Sequence, residues 1–224
     1  MIDSKISVGL LSMNEEDSIQ VVIESIRKAA PEAEIVIVDS SRDKTPEIAT
    51  QLGARVIRQY PPIGYGPAMM KLLRECSRDV IITMDCDNTY PAEMIPQLAK
   101  LVIDAGYDLV DASRLKTKPN AMPWPNYLAN RFFAVLASVL FQNHFQDLHS
   151  GMRAYRKTMI DALDFHEKGA ALPVELLIKP LLHHYKLHTI SIPYQERIGQ
   201  SKMQPLDTVW WTFKRIFKLR FLHA

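Results

Sequence analysis

The sequence has few cysteines, no marked excess of one charge and no long apolar run. Cys76 and Cys86 are the only cysteines among 224 residues, so a disulfide framework and a four-thiolate zinc site are both excluded. Such sparse cysteine is typical of a reducing compartment. The 27 basic and 25 acidic side chains give a net charge of +2, a balance that argues against nucleic acid as a partner.

The apolar segments are too short to cross a bilayer. The longest of them, residues 132–141, falls well below the roughly 20 residues that a transmembrane helix needs. The first residues lack the basic region, apolar core and cleavage site of a signal peptide. We therefore expect a cytoplasmic protein, or one held peripherally on the cytoplasmic face of a membrane.

The first half of the chain alternates between strand and helix patterns. This alternation predicts an α/β fold whose sheet is mainly parallel and flanked by helices. In such sheets ligands bind beyond the carboxyl ends of the strands. The expected strands are 6–11, 34–38, 55–57, 79–84 and 108–112, and the expected helices are 15–29, 45–52, 66–76 and 91–105.

The second half is less regular. Its patterns predict one mixed domain over residues 1–204 and a C-terminal amphipathic helix over residues 205–224. The expected elements are helices at 123–141 and 174–185, strands at 150–156 and 188–193, and a polar loop at 196–204.

Acidic side chains follow three of the expected strands. Glu15 and Glu16 follow the first strand, Asp39 ends the second, and Asp85 and Asp87 follow the fourth. An Asp-x-Asp pair in a loop is usually a helix cap or a turn, but this pair directly follows a buried strand at the expected ligand edge. One or two carboxylates, completed by ligand phosphates, suit a hard divalent cation such as Mg²⁺ or Mn²⁺.

Five motifs occur in an order and spacing that resemble one known family. They are Asn14-Glu15, V-D-S-S-x-D-x-T from Val38, M-D-x-D-x-x-x-P from Met84, D-L-H-S-G-M-R-A-Y-R from Asp147, and R-x-G-x-S-K from Arg197. The chain is thereby similar to family 2 glycosyltransferases of the GT-A fold, in the dolichol- or polyprenyl-phosphate mannosyltransferase branch. The resemblance extends over about residues 5–204.

The resemblance implies a divalent metal, a nucleotide-sugar donor, a lipid-phosphate acceptor and residues for each. Asp85 and Asp87 would bind Mg²⁺ or Mn²⁺. The implied donor-binding residues are Ser12, Asn14, Glu15, Asp39, Gly64, Gly66, Asp85, Cys86 (through its backbone) and Thr89. The implied catalytic residues are Asp87, Arg114, Arg197 and Lys202, and the implied acceptor-binding residues are Arg131, Asp147, Ser150 and Arg153. Gly64 and Gly66 are expected to let the backbone approach the donor closely.

Two departures from the family pattern lie in the implied nucleotide pocket. Ser12 and Met13 stand where the family usually has Pro-x-Tyr, and Ser40 follows Asp39 where a second aspartate is commoner. The identity of the base therefore stays open. GDP-mannose is the first expectation for the donor, and UDP-glucose or another UDP-sugar is the second.

Arginines outnumber candidate bases near the implied site, which favours a phosphate acceptor. A phosphate monoester is largely dianionic at neutral pH because its second pKa is about 6, so it needs positive charge and positioning rather than a strong base. Arginine binds phosphate with a two-pronged fork. Two alternatives remain open: a soluble glycan or phosphorylated acceptor, and a non-catalytic nucleotide-sugar-binding protein.

The C-terminal segment combines aromatic and basic residues. Trp210, Phe213 and Phe217 fall at helical spacing, with Lys214, Arg215, Lys218 and Arg220 between them. A basic helix with Trp and Phe is typical of a segment lying in the lipid interface. The alternative is a helix that packs on the domain with its basic residues outward.

Overall fold

The computed structural model describes residues 2–169, 171–199 and 205–222. Within these residues, one seven-stranded sheet has the order β3-β2-β1-β4-β6-β5-β7. The strands are β1 (Ile6–Ser12), β2 (Glu34–Asp39), β3 (Arg55–Arg58), β4 (Val80–Asp85), β5 (Leu109–Ser113), β6 (Arg153–Arg156) and β7 (Leu187–Ser191). The five strands expected in the first half are confirmed to within one residue at each end.

One strand runs against the others. β1 to β4 pair in parallel, and β5 pairs in parallel with β7. β6 lies between β4 and β5 and is antiparallel to both. Its first residue, Arg153, is opposite Thr83 on β4 and Asp111 on β5. The segment that leads into β6 therefore lies at the same edge as the carboxyl ends of the parallel strands.

Helices cover both faces of the sheet. They are α1 (Ile19–Ala29), α2 (Thr45–Gln51), α3 (Tyr65–Glu75), α4 (Ile95–Ile103), α5 (Trp124–Phe141), α6 (Lys157–Ala162), α7 (Leu172–Leu182) and α8 (Pro205–Phe221), with short 3₁₀ turns at Asp3–Lys5 and Ala92–Met94. Helix α6 was not expected from the sequence. No helix among the described residues has the length and apolarity needed to span a membrane.

The hydrophobic core has two halves, one on each face. The alternation of β1 sends Ile6, Val8 and Leu10 to the half that packs under α1 and α4. The other half lies under α3, α5 and α7 and includes Ile216 and Leu219 of α8. Because both α8 residues are almost fully buried, the C-terminal helix packs on the domain.

A buried ion pair fixes α8 to its neighbours. Arg215 pairs with Glu175 of α7 and also donates to the carbonyl oxygens of His166 (2.8 Å) and Lys168 (2.5 Å). Phe213 packs inward, its ring centroid 4.8 Å from that of Phe133 on α5. Arg215 and Phe213 are therefore part of the helix's packing, which corrects their expected place on a lipid-facing surface.

Candidate active site

A cavity of about 420 Å³ lies beyond the carboxyl ends of β4 and β5. Asp85, Arg114 and Arg197 line one side, and side chains of α5 and α8 line the other. The cavity thus joins three of the predicted site residues at the edge where the sheet topology places ligands. A second cavity of the same volume, beside α6 and the end of α7, contains none of the predicted site residues.

Asp85 carries a carboxylate that accepts no hydrogen bond from the described residues. Burial, and after it the charge of Asp87, raises the pKa of Asp85 to about 7, against the opposing charges of Arg114 and Arg197. Gly151 permits this position, because a Cβ there would lie 2.8 Å from Asp85 Oδ1. The carboxylate is crowded by negative charge, and a bound cation would relieve that crowding.

Asp87 is nearly buried and tied to the polar loop after β7. Its Oδ1 accepts from the backbone N–H (3.1 Å) and hydroxyl (2.5 Å) of Thr89, and its Oδ2 pairs with Arg197. The backbone N–H of Ile198 donates to the Asp87 carbonyl at 2.9 Å. The structure therefore brings Arg197 beside the Asp-x-Asp pair. Lys202, the other cation predicted in this loop, lies outside the described residues.

Arg114 is the most firmly held cation of the cavity. Its Nε and Nη2 donate to the two oxygens of Asp147 at 2.7 and 3.0 Å, and its guanidinium lies 6.0 and 5.4 Å from the ring centroids of Tyr90 and Tyr194. The third nitrogen, Nη1, has no hydrogen-bond partner among the described residues. Arg114 can therefore offer two N–H donors to a ligand from a fixed position.

The implied acceptor motif supports the cavity from behind. Asp147 is fully buried and orients Arg114, whose charge holds the pKa of Asp147 below its ordinary value despite burial. The Ser150 hydroxyl donates to the Ala112 carbonyl at 2.6 Å. Both residues therefore position the end of β5 and its arginine, and their direct contact with an acceptor stays a prediction.

Arg153 is wrongly placed among the acceptor-binding residues. It is 1% exposed, and its Nε donates to Asp111 at 2.6 Å. Its Nη1 donates to the carbonyl of Pro173 and its Nη2 to that of Leu148 at 3.0 Å. Because every nitrogen is used inside the protein, Arg153 joins the antiparallel strand to its neighbours and cannot reach an acceptor.

Helix α5 contributes amides rather than the predicted arginine. Asn126 and Asn130 line the cavity one turn apart, and neither side chain hydrogen-bonds to another described residue. Arg131 is exposed and is not part of the cavity lining, so the structure gives no support to its predicted acceptor contact. The four-residue spacing of the two asparagines places them on one side of a helix and could have indicated both. The prediction instead relied on the charge of the neighbouring Arg131.

Asp39 is saturated by its own protein. Its Oδ2 accepts from the hydroxyls of Ser12 and Ser41, each at 2.6 Å, and its Oδ1 accepts from the Ser41 N–H at 3.1 Å and pairs with Arg58. The carboxylate is fully buried. Asp39 and Ser12 thus tie the ends of β1 and β2 together, and their contact with a nucleoside stays a prediction.

Asn14 and Glu15 join the loops after β1 and β2. The Asn14 side-chain oxygen accepts from the Arg42 N–H at 2.8 Å, and the Asn14 N–H donates to the Ser41 hydroxyl at 2.7 Å. The Glu15 N–H donates to the Thr45 hydroxyl at 2.9 Å. Glu15 is half-buried, and its charge acts on Asp85. Both residues lie at the predicted edge, and their donor contacts remain predictions.

The two glycines of the 60–68 segment differ in role. Gly64 is exposed and has φ +95° immediately before α3, a conformation that favours glycine. Gly66 is buried, and a Cβ there would lie 1.8 Å from the Glu167 carbonyl oxygen. The close approach at Gly66 is therefore to the protein's own backbone, which corrects the expectation that it admits a ligand.

The backbone of Cys86 also serves the protein itself. Its carbonyl accepts from the Ser18 hydroxyl at 2.6 Å, a bond that fixes the Asp-x-Asp loop to the start of α1. No group of three or more His, Cys, Asp or Glu side chains among the described residues could hold a metal unaided. The binding of a metal by Asp85 and Asp87 therefore stays a prediction.

Comparisons with known proteins identify the family of the chain. The model of Glycosyl transferase family 2 matches residues 7–164. A dolichyl-phosphate hexose transferase of Haloferax volcanii is 40% identical over 201 residues, which are 89% of this chain and 87% of that protein. A dolichol-phosphate mannosyltransferase of Pyrococcus furiosus is 28% identical over 229 residues, which are 96% of this chain and 63% of that protein.

A solved structure supports the fold. Glucosyl-3-phosphoglycerate synthase from Mycobacterium tuberculosis, in complex with Mn²⁺, UDP and phosphoglyceric acid, superposes with a TM-score of 0.74. It is 22% identical, and the superposition covers 96% of this chain and 78% of that one. The expected GT-A fold, a mostly parallel sheet flanked by helices with a further C-terminal helix, is confirmed.

Proposed function

The chain belongs to glycosyl transferase family 2, and we propose that it moves a hexose from a nucleoside diphosphate to a polyprenyl or dolichyl phosphate with inversion at the anomeric carbon. The observation that carries the proposal is Arg114, whose Nη1 is the one guanidinium nitrogen that Asp147 leaves available to the cavity. The 40% identity to a dolichyl-phosphate hexose transferase supports the acceptor class.

The carboxylates of the cavity fit a divalent cation. The Asp85 carboxylate accepts no hydrogen bond from the described residues, and its pKa is raised by burial and by the charge of Asp87. Bound Mg²⁺ or Mn²⁺ would offset this concentration of negative charge. Both ions accept two protein carboxylates together with phosphate oxygens. A bound ion would neutralise charge on the departing diphosphate. We propose that Asp85 and Asp87 hold it, as the pair of carboxylates between the donor loops and the cavity.

Arg197 and Arg114 divide the work on the phosphates. Arg197 neighbours Asp87 and lies in the loop after β7, so it can stabilise the diphosphate that leaves. Arg114 is held on the side of α5 and can draw the acceptor phosphate into line with the anomeric carbon. A dianionic phosphate is itself a nucleophile, so the transfer needs no protein base. Lys202 lies outside the described residues, and its catalytic role stays part of this proposal.

Large apolar side chains are exposed on α5 and α8, on a different side of each helix from the residues that line the cavity. We call the exposed apolar side chains of the two helices the α5–α8 face. The helices contact each other at Phe132 and Phe213, whose ring centroids lie 5.9 Å apart. Asn126 and Asn130 line the cavity from the same turns of α5 that expose Trp124 and Leu128. The face comprises Trp124, Leu128, Phe132, Val135, Val139, Trp210, Phe217 and Phe221.

We propose that this face lies in the interface of an anionic membrane. Soluble monomers seldom expose so large an apolar area, and cations border it: Lys118 lies 5.0 Å from the Trp124 ring and Arg220 5.6 Å from the Phe221 ring. Such contact would hold the cavity close to the bilayer that carries the lipid acceptor. Cys76 and Cys86 are buried and not joined in a disulfide, which supports the cytoplasmic face, where thiols stay reduced.

The function is tested by following label from GDP-mannose and UDP-glucose into polyprenyl phosphate held in vesicles, with 3-phosphoglycerate as a soluble acceptor in parallel. We expect transfer to the lipid with one of the two donors, and loss of transfer with a chelator or with Asp87→Ala. Equal or better transfer to the soluble acceptor would overturn the lipid proposal. Donor binding without any transfer would favour the non-catalytic alternative.

Membrane contact is tested separately by co-sedimentation with anionic vesicles. Trp210→Ser and Leu128→Ser remove exposed side chains of the α5–α8 face, while Val21→Ser removes a comparably exposed one from α1. We expect the first two to lower vesicle binding severalfold and the third to leave it unchanged. If all three variants bind vesicles alike, the α5–α8 face is not the membrane contact.

A further inference from the structure

His149 connects the C-terminal helix to the catalytic arginine. Its backbone N–H donates to Asp147 Oδ1 at 3.0 Å, and Asp147 in turn grips Arg114 with both oxygens. On its other side, the His149 ring nitrogen Nε2 lies 2.9 Å from the Thr212 hydroxyl oxygen of α8. His149 thus links α8 to Asp147 through two different groups, its ring on the α8 side and its backbone N–H on the Asp147 side.

The network assigns the tautomer of His149. The Thr212 hydroxyl has one proton, and it donates this proton to the Thr208 carbonyl at 2.7 Å. The Thr212 oxygen can therefore only accept from His149, which places the ring proton on Nε2. Burial lowers the pKa of His149 to about 4, with Arg114 and Arg153 acting in the same direction, so the ring is neutral at pH 7.

The other ring nitrogen is left without a bond. Nδ1 of His149 is buried and has no hydrogen-bond partner among the described residues. An unpaired buried acceptor costs stability. The hydrogen bonds of its two nitrogens therefore do not by themselves account for a histidine at this position. Apart from its packing against Phe133, with centroids 5.9 Å apart, only the bond to Thr212 fixes its orientation.

Thr212 is itself held in place independently of this bond. Arg215 pairs with Glu175, and Ile216 and Leu219 are buried in the core. These contacts anchor the turn of α8 that follows Thr212. Loss of the Thr212 hydroxyl should therefore release His149 without detaching the helix.

We propose that Thr212 is a positioning residue, which fixes the ring of His149 so that Asp147 presents Arg114 to the acceptor phosphate. The inference rests on the proposed function for the identity of the acceptor. It goes beyond that function because it makes α8, which lies outside the matched family segment 7–164, a working part of the site. Thr212 contacts no reacting group and acts through His149.

The first test compares Thr212→Val, which removes the hydroxyl at constant shape, with Thr212→Ser, which keeps it. Thr50→Val is the matched control, because Thr50 also bonds a carbonyl four residues earlier, on α2. We expect Thr212→Val to lower kcat/KM for the lipid acceptor about tenfold, with the affinity for nucleoside diphosphate and Mn²⁺ unchanged. Thr212→Ser and Thr50→Val should stay within twofold of the wild type.

The second test asks whether Thr212 acts through His149. If it does, Thr212→Val combined with His149→Phe should transfer no more slowly than His149→Phe alone. Multiplying effects in the double variant would overturn the proposal, as would equal losses in Thr212→Val and Thr212→Ser. A Thr212→Val enzyme within twofold of the wild type would overturn it as well.

A third measurement needs no substrate and so separates this proposal from the proposed function. Long-range ¹H–¹⁵N spectra of the whole chain report which ring nitrogen of His149 is protonated, and the Arg114 Nε–H signal reports its bond to Asp147. We expect the Nε2–H form in the wild type and in Thr212→Ser. Thr212→Val should lose that form and broaden the Arg114 signal. Unchanged spectra in Thr212→Val would contradict the positioning role, whichever acceptor the enzyme uses.

Discussion

Two arginine–aspartate pairs near the same sheet edge have nearly the same shortest separation but different hydrogen bonding and different roles. Arg114 and Asp147 approach to 2.7 Å, and Arg153 and Asp111 to 2.6 Å. The first arginine gives two nitrogens to its partner and keeps the third for the cavity, whereas the second donates every nitrogen to the protein. The function of a buried arginine therefore depends on which nitrogen its neighbours leave unused.

Breaking the more deeply buried pair, Arg153 and Asp111, should have the largest effect on the free energy of unfolding. Arg153→Met leaves the carboxylate of Asp111 buried without its cation, and the loss of one partner of a buried pair costs about 3–5 kcal/mol. Denaturant unfolding measures this change. Arg153→Met combined with Asp111→Leu should recover much of the stability, because no unpaired charge then remains. Near-wild-type stability of Arg153→Met alone would refute the structural role given to this pair.

Weakening the pair whose arginine lines the cavity, Arg114 and Asp147 (the outer pair), should instead lower the rate of sugar transfer. Arg114→Lys keeps the charge, but a single ammonium nitrogen cannot reproduce the fork that bonds both oxygens of Asp147 and still presents a further nitrogen to the acceptor phosphate. We expect kcat/KM to fall about 100-fold, which corresponds to roughly 2.7 kcal/mol of transition-state stabilisation. Steady-state transfer beside a melting curve makes the comparison. If the variant transfers normally, Arg114 Nη1 does not donate a hydrogen bond to the acceptor phosphate.

The outer pair also carries a dependence on acidity through His149. Its pKa falls from the ordinary 6.5 to about 4 on folding, so the unfolded chain binds the proton more readily between these values. The neutral ring of His149 therefore contributes to the free energy of unfolding in full above pH 6.5, and this contribution is lost as the pH falls toward 4. Between pH 7 and pH 5 the loss is about 2 kcal/mol.

His149→Phe isolates this effect, because the variant cannot take up that proton. Its stability should fall less than the wild type's between pH 7 and pH 5, as measured by denaturant unfolding at both values. Parallel losses in the two proteins would contradict the buried neutral ring. The groups that act on the ring, Asp147, Arg114 and Arg153, are present in both proteins.

The smallest expected effect concerns Ser150, which lies between the motif residues Asp147 and Arg153. Ser150→Ala removes one buried hydrogen bond to the Ala112 carbonyl, a change worth about 1 kcal/mol. Thermal unfolding should show this small loss, and transfer should fall less than with Arg114→Lys. A loss of transfer as large as that of Arg114→Lys would mean that the Ser150 hydroxyl touches the acceptor.

Local patterns in the sequence predicted most of the sheet. The apolar runs of β1, β2 and β4 are buried on both faces, so their identity as strands does not depend on distant contacts. The direction of β6 does depend on them. Nothing in the four residues Arg153–Arg156 states that they will pair between β4 and β5, because that placement is decided by the whole core.

The site was predicted by residue type better than by role. The motif from Asp147 contains Arg153, and Arg114 follows β5, but the equal charges of the two arginines gave no indication of which one lines the cavity. That distinction is set by burial and by hydrogen-bond acceptors on distant segments, such as the carbonyl oxygen of Pro173. Asn126 and Asn130 were missed because a neutral amide carries no charge signal, although their spacing placed both on one side of α5.

The position of α8 in the chain has a consequence for biosynthesis. Every other described element emerges from the ribosome before α8, yet Thr208 and Val209 supply one wall of the cavity. Domains generally begin to fold while their later parts are still being made. The sheet and the loops at its carboxyl edge can therefore form early, while the cavity is completed only when the last described helix docks. A nascent chain would acquire its donor loops before it acquires a finished acceptor site.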